Sequence, residues 1–198
     1  MGTRLFTAVL PPASLVEDLD AFLAPRREAE PRLRWTHPES WHLTTAFMAD
    51  VADRHLDRLA EHLSAAARRT PAFTLTLGGG GAFPRPRESR HLWLGVAAGA
   101  GALAALAGRC RHAASHAGAN PDGARFVPHL TLARARRPLD VTRLLHVLDT
   151  YDAAPFPVTG VALVASHLRD RGHRYETLDT FALAPSARDP FVPGGQPL

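Results

Sequence analysis

Two near-identical tetrapeptides carry the residue types best suited to chemistry in this 198-residue chain: His42-Leu43-Thr44-Thr45 and His129-Leu130-Thr131-Leu132, set 87 residues apart. Each lies in a run that reads as a β-strand, residues 41–48 and 126–134. Because side chains alternate along a strand, His42 and Thr44 share one face, and so do His129 and Thr131. An imidazole and a hydroxyl thus project side by side, twice. If the two halves of the chain are related by a pseudo-twofold, the pairs converge on one ligand and offer two proton-transfer groups flanked by two hydroxyl donors. That set suits phosphoryl transfer at a small anionic centre. A metal centre is the competing use of the two histidines. Neither motif carries a second His, Cys, Asp or Glu at ligand spacing, so no metal is expected.

All 23 basic residues are arginine. Without lysine there is no phosphate-loop lysine, no Schiff-base lysine and no lysine to carry an adenylate, which removes several nucleotide-dependent classes. Gly78-Gly79-Gly80-Gly81 therefore reads as a flexible turn. Arginine favours bidentate phosphate contacts and the net charge of +4 attracts nucleic acid, although an Arg/Ala/Gly/Pro bias is also what a GC-rich coding sequence produces. With 45% hydrophobic and 21% charged residues the composition is that of an ordinary soluble globular protein. The longest mainly apolar stretch, 92–107, is interrupted by Gly95, Gly99 and Gly101, so no membrane span is expected. The first residues show no charged-then-apolar leader. The lone Cys110 sits in an alanine-rich helical pattern and reads as a small core residue in a reducing, cytoplasmic setting.

These motifs need elements to hold them. Strands are expected at 4–10, 33–35, 41–48, 73–77, 91–96, 126–134, 158–166 and 175–183. A helix after Pro11-Pro12, with Ser14 as N-cap and Leu15, Leu19, Phe22 and Leu23 on one face, should end at Pro25. Further helices are expected at 52–69, 102–117 and 139–151. The order strand, helix, motif strand, helix, strand occurs approximately twice. The expectation is an α+β protein: one bilobal domain over 1–185, two pseudo-symmetric lobes with antiparallel sheets and flanking helices, a lobe boundary near 78–90, a central cleft and a loose tail at 186–198. Among the eleven histidines, His55, His62, His112, His116 and His146 fall in helical patterns and read as surface positions.

The two motifs resemble the signatures of the 2H phosphoesterases, and specifically the RNA 2′,3′-cyclic phosphodiesterases of the ThpR/LigT type. The first is Trp35-Thr36-His37-Pro38-Glu39-Ser40-Trp41-His42-Leu43-Thr44-Thr45-Ala46-Phe47, and the second Pro128-His129-Leu130-Thr131-Leu132-Ala133-Arg134. Arg4-Leu5-Phe6-Thr7-Ala8, His91-Leu92-Trp93-Leu94-Gly95, 163–166 and Tyr175-Glu176 extend the likeness over almost the whole chain. Ala46 replaces a larger apolar residue usual before the phenylalanine, and Trp41 stands where leucine or valine is common.

The resemblance implies a bilobal α+β fold and cofactor-free, metal-independent hydrolysis of a 2′,3′-cyclic phosphate end to a 2′-phosphate. His42 would be the general acid and His129 the base, a division that the sequence alone leaves open. Thr44 and Thr131 would bind the non-bridging oxygens. Arg134 stands five residues after His129, an offset that a regular strand turns to the opposite face, so it binds phosphate only if a bulge intervenes; a surface arginine is the alternative. Tyr175 is a candidate to stack on a base, whereas Phe47 reads as core. The expected partner is an RNA or oligonucleotide with a cyclic phosphate end, or a small cyclic nucleotide, bound by a monomer. Other cyclic or 2′,5′-linked nucleotides, reversible 2′,5′ joining of tRNA halves, and non-catalytic RNA binding remain the alternatives.

Overall fold

The computed structural model describes residues 2–169 and 172–186, so all but the first residue of the tail expected at 186–198 lies outside the described residues. The elements run β1 (Gly2–Val9), α1 (Ala13–Ala29), β2 (Leu33–Trp35), β3 (Leu43–Ala52), α2 (Leu56–Arg68), β4 (Phe73–Phe83), β5 (Ser89–Ala98), α3 (Ala100–Ala117), β6 (Leu130–Leu139), α4 (Thr142–Leu148), β7 (Phe156–Val158), β8 (Gly160–Arg169) and β9 (Gly172–Ala182). The class is α+β, as read. Strands follow the order β7-β4-β5-β6-β3-β1-β8-β9, with β2 added beside β6, and every pairing between these strands is antiparallel.

The two motif strands meet at a single pair, Leu43 opposite Leu130. That narrow joint divides the sheet into two wings: β4, β5, β6, β7 and β2 on one side, and β1, β3, β8 and β9 on the other. Both leucines of the joint are fully buried. Helices α2 and α3 pack on each other and on β3 and β9, while α4 covers β4. Helix α1 joins the segment that follows α4 through Phe22 and Tyr151, whose rings lie 4.9 Å apart, and through the Tyr151 hydroxyl donating to Asp18 at 2.8 Å. Burial and the adjacent Asp18 carboxylate both push the Tyr151 hydroxyl pKa up.

Four local readings change. The motif strands start one residue after each histidine, because Pro128 has no N–H for a ladder and a 3-10 turn at Pro38–Ser40 precedes His42. Helix α1 runs through Pro25, with Pro12 rather than Ser14 at its N-cap. Burial of Leu15, Leu19 and Leu23 outweighs the lost backbone bond, and Arg26 donates to the Phe22 carbonyl at 2.8 Å within that turn. Helix α4 is shorter than expected and starts at Thr142, where Asp140 accepts from the Thr142 N–H and hydroxyl.

The glycine run, finally, is strand rather than turn. Gly81 lies opposite Trp93, and a Cβ placed there would come within 2.0 Å of the indole ring. Gly79 adopts a φ of +80 where the β4–β5 register slips, a conformation that a Cβ disfavours. Gly81 thus leaves room for Trp93, whose ring lies against that of His129, and Gly79 permits the register slip. Cys110 is buried as read, and burial raises its thiol pKa.

Candidate active site

Leu43 and Leu130 point into the core, so their neighbours point the other way. Continuing the antiparallel register from this pair sets His42 across from Thr131 and Thr44 across from His129. All four line one cleft of about 540 Å³, together with Arg34, Trp35, Thr36, His37, Ser40, Arg134 and Tyr175. The six residues singled out from the sequence therefore share one cavity.

Each imidazole is held in the same way. The Nδ1–H of His42 donates to the Ser40 carbonyl at 2.7 Å, and that of His129 to the Val127 carbonyl at 2.7 Å. A carbonyl only accepts, so Nδ1 carries hydrogen in both rings and Nε2 is left for chemistry. Aromatic rings fix the planes. His42 stacks on Phe6 at 4.6 Å and meets Tyr175 edge-on at 5.2 Å. His129 meets Phe83 edge-on at 5.2 Å, with Trp93 at 5.8 Å. Tyr175, considered above as a base-stacking surface, thus has its ring against His42 and Phe6.

Arg134 enters through a bulge. Along the β5–β6 pair, Trp93 faces Thr131 and Leu92 faces Ala133, which leaves Leu132 as the extra residue. His91 then faces Arg134, so Thr131 and Arg134 fall on the same face. The first motif has the same device. In the β1–β3 pair Ala8 faces Thr44 and Thr7 faces Ala46, which leaves Thr45 extra and brings Phe47 to the face of Thr44. The buried Thr45 hydroxyl bonds that of Thr7 at 2.7 Å, anchoring the bulge. Phe47, read as core, is half-buried beside Phe6 and faces Arg4 and Arg134 in a smaller cavity of about 220 Å³ next to His42.

Electrostatics follows from this enclosure. Burial, aided by His129 and the Arg134 guanidinium and opposed by the bond to Ser40, lowers the His42 pKa to about 4. Burial also lowers the pKa of His129, against the raising effect of its bond to Val127. Both imidazoles are therefore neutral in the free protein at neutral pH, and an incoming anion would draw a proton onto the site. Among the described residues no three His, Cys, Asp or Glu side chains are grouped to hold a metal ion, and no helix is long and apolar enough to cross a membrane.

Sequence reasoning missed Phe6, Phe83 and Trp93 as ring supports. Each comes from a strand remote from the motif it serves, so only the pairing of β1 with β3, of β4 with β5 and of β5 with β6 reveals it. The other helical histidines behave as read in part: His112, His116 and His146 are exposed, while His55 and His62 are half-buried.

Known proteins share this frame. A family model described as the 2′-5′ RNA ligase superfamily matches residues 11–170. A protein of Aeropyrum pernix named RNA 2′,3′-cyclic phosphodiesterase is 31% identical over 159 residues, covering 79% of this chain and 89% of its own. The Escherichia coli K12 protein of the same name is 31% identical over 180 residues, covering 91% and 96%. The crystal structure of E. coli LigT in apo form superposes with a TM-score of 0.74 at 30% identity, covering 92% of this chain and 98% of that one. LigT has also been solved in complex with 3′-AMP, again with a TM-score of 0.74. With a matching model across most of its length, relatives matched along nearly their whole chains and the same fold, the chain belongs to the 2′-5′ RNA ligase superfamily.

Proposed function

We propose that the protein hydrolyses RNA 2′,3′-cyclic phosphate ends to 2′-phosphates by paired acid and base catalysis from His129 and His42, without a metal. The observation that carries this reading is the duplicated imidazole: two rings, each pinned through Nδ1 to the carbonyl two residues before it, with Nε2 of both left for the same cleft. In the reaction His129 Nε2 takes a proton from water as its oxygen attacks phosphorus. The P–O3′ bond breaks in line, and His42 Nε2–H gives its proton to the departing 3′-oxygen. The P–O2′ bond survives, so the product is a 2′-phosphate beside a free 3′-hydroxyl. Solvent then resets the two rings. Thr44 and Thr131 donate to the non-bridging oxygens, and Arg134 balances the charge that grows there.

The assignment of His42 as acid comes from the family resemblance, and the site adds a condition. His42 is the ring most strongly held neutral in the free protein. Its proton therefore arrives with the substrate, whose negative charge favours imidazolium. Activity on RNA 2′,3′-cyclic ends is also what the names of the two relatives above record.

The test is turnover of a cyclic-phosphate-ended oligonucleotide by purified protein treated with chelator. The rate should match that of untreated protein. Loss with chelator and recovery with one divalent ion would instead indicate a metallohydrolase.

A further inference from the structure

The cleft extends beyond the reacting groups, along the β6 edge that β2 covers. There the register places Arg34 directly opposite Arg134. Both side chains line the cleft. On the other side of β6, His91 stands opposite Arg134, completing a row of three basic residues across β5, β6 and β2. Directly opposed side chains on one sheet face have Cβ atoms about 5 Å apart, and like charges so placed destabilise the pair. Among the described residues neither Arg34 nor Arg134 bonds a carboxylate. Arg134 also lines the smaller cavity beside His42, on the side of the reaction centre. Arg34 stands farther along β6 than the Leu43–Leu130 joint and belongs to the cleft without sharing the smaller cavity beside His42. Two arginines in opposed register positions, with no carboxylate partner among the described residues, form a place for an anion other than the one being cleaved.

We propose that Arg34, with Arg134, binds the phosphodiester one nucleotide upstream of the cyclic end, so that the site favours an oligonucleotide over a mononucleotide. The inference rests on the hydrolase reading above and names its substrate class. A phosphodiester on the 5′-oxygen of the terminal nucleoside is the nearest further charge that such a substrate carries. Arg134 faces both phosphates and Arg34 only the second. Arg34 is thereby a specificity residue, and the repulsion it brings to the free protein is relieved on binding.

The experiment compares kcat/KM for three substrates: a nucleoside 2′,3′-cyclic monophosphate, a dinucleotide with the same cyclic end, and that dinucleotide with an uncharged methylphosphonate linkage. The wild-type protein should prefer the charged dinucleotide. Arg34→Gln should cut that preference about tenfold, as expected for one charge-assisted hydrogen bond, and Arg34→Lys should retain part of it. The methylphosphonate should cost the wild type a similar factor and cost Arg34→Gln almost nothing more. The melting temperature of Arg34→Gln should equal or exceed that of the wild type, because a like-charge pair is removed. If Arg34→Gln keeps the wild-type preference, or if the methylphosphonate costs variant and wild type alike, the upstream site is wrong while the hydrolase reading stands. A wild-type protein inactive on all three substrates would overturn both.

Discussion

Replacing either His42 or His129 by alanine is expected to lower turnover by about 10²–10⁴-fold while leaving the protein folded, because each supplies general acid or base help at the reacting bonds. The loss should come mainly in kcat, since the proton transfers belong to the transition state rather than to substrate binding. The double variant should be little worse than either single one. Once one ring is gone, the other can no longer pass a proton through a complete cycle. The fold should survive because both rings lie at the cleft and the core is carried by Leu43 and Leu130 beside them. Steady-state kinetics with a circular dichroism melt checks both halves of this expectation. A single variant that keeps more than about a tenth of the wild-type rate would remove that histidine from the proton path.

The second large effect concerns pH. The profile of kcat/KM reports the free protein, where burial depresses both imidazoles and takes His42 to about 4. A depressed pKa means that the charged form appears only as pH falls below the usual imidazole range near 6.5. The bell in kcat/KM should therefore have both limbs below about 6.5 and decline through neutrality. In the complex, the phosphate charge favours imidazolium and raises both values, so the kcat bell should lie to the alkaline side of the kcat/KM bell. Because the two rings interact, the limbs belong to the pair, and replacing one histidine should move what remains of the profile. A kcat/KM bell centred above 6.5 would show that burial does not control the pair.

How much of this was legible in the sequence varies with the range of the interaction. The His-x-Thr pairs follow from the two-residue period of a strand, and the structure keeps each pair on the face away from the buried leucine between its members. Helices with strong leucine spacing were also readable, because α2 and α3 bury the positions that the spacing selects. Arg134 was half-readable. Its offset from His129 demanded a bulge, but a bulge is a property of two strands, and the register against β5 cannot be read from β6 alone. The matching bulge at Thr45 left a trace of the same kind, since Phe47 stands at the same offset from His42 as Arg134 does from His129.

The failures share a physical cause. Pro25 and the glycine run 78–81 were judged by local preference, and tertiary packing overrode that preference in both cases. For Gly81 the deciding partner is Trp93, twelve residues later on the adjacent strand. The order of strands also mixes the two halves of the chain, with β2 beside β6 and β1 beside β8. A repeat in sequence therefore gives two motif strands that face each other across a joint, while their supports come from wherever the sheet happens to bring a ring.

The central claim is that two pinned imidazoles act in fixed roles on a cyclic phosphate, and the most direct measurement is the identity of the product. An oligoribonucleotide ending in a 2′,3′-cyclic phosphate should be incubated with the wild-type protein and the new end assigned by phosphorus NMR, with spontaneous hydrolysis subtracted. A fixed acid on the 3′-oxygen predicts the 2′-phosphate almost alone. A mixture of 2′- and 3′-phosphates, or an unaltered cyclic end, would contradict the account.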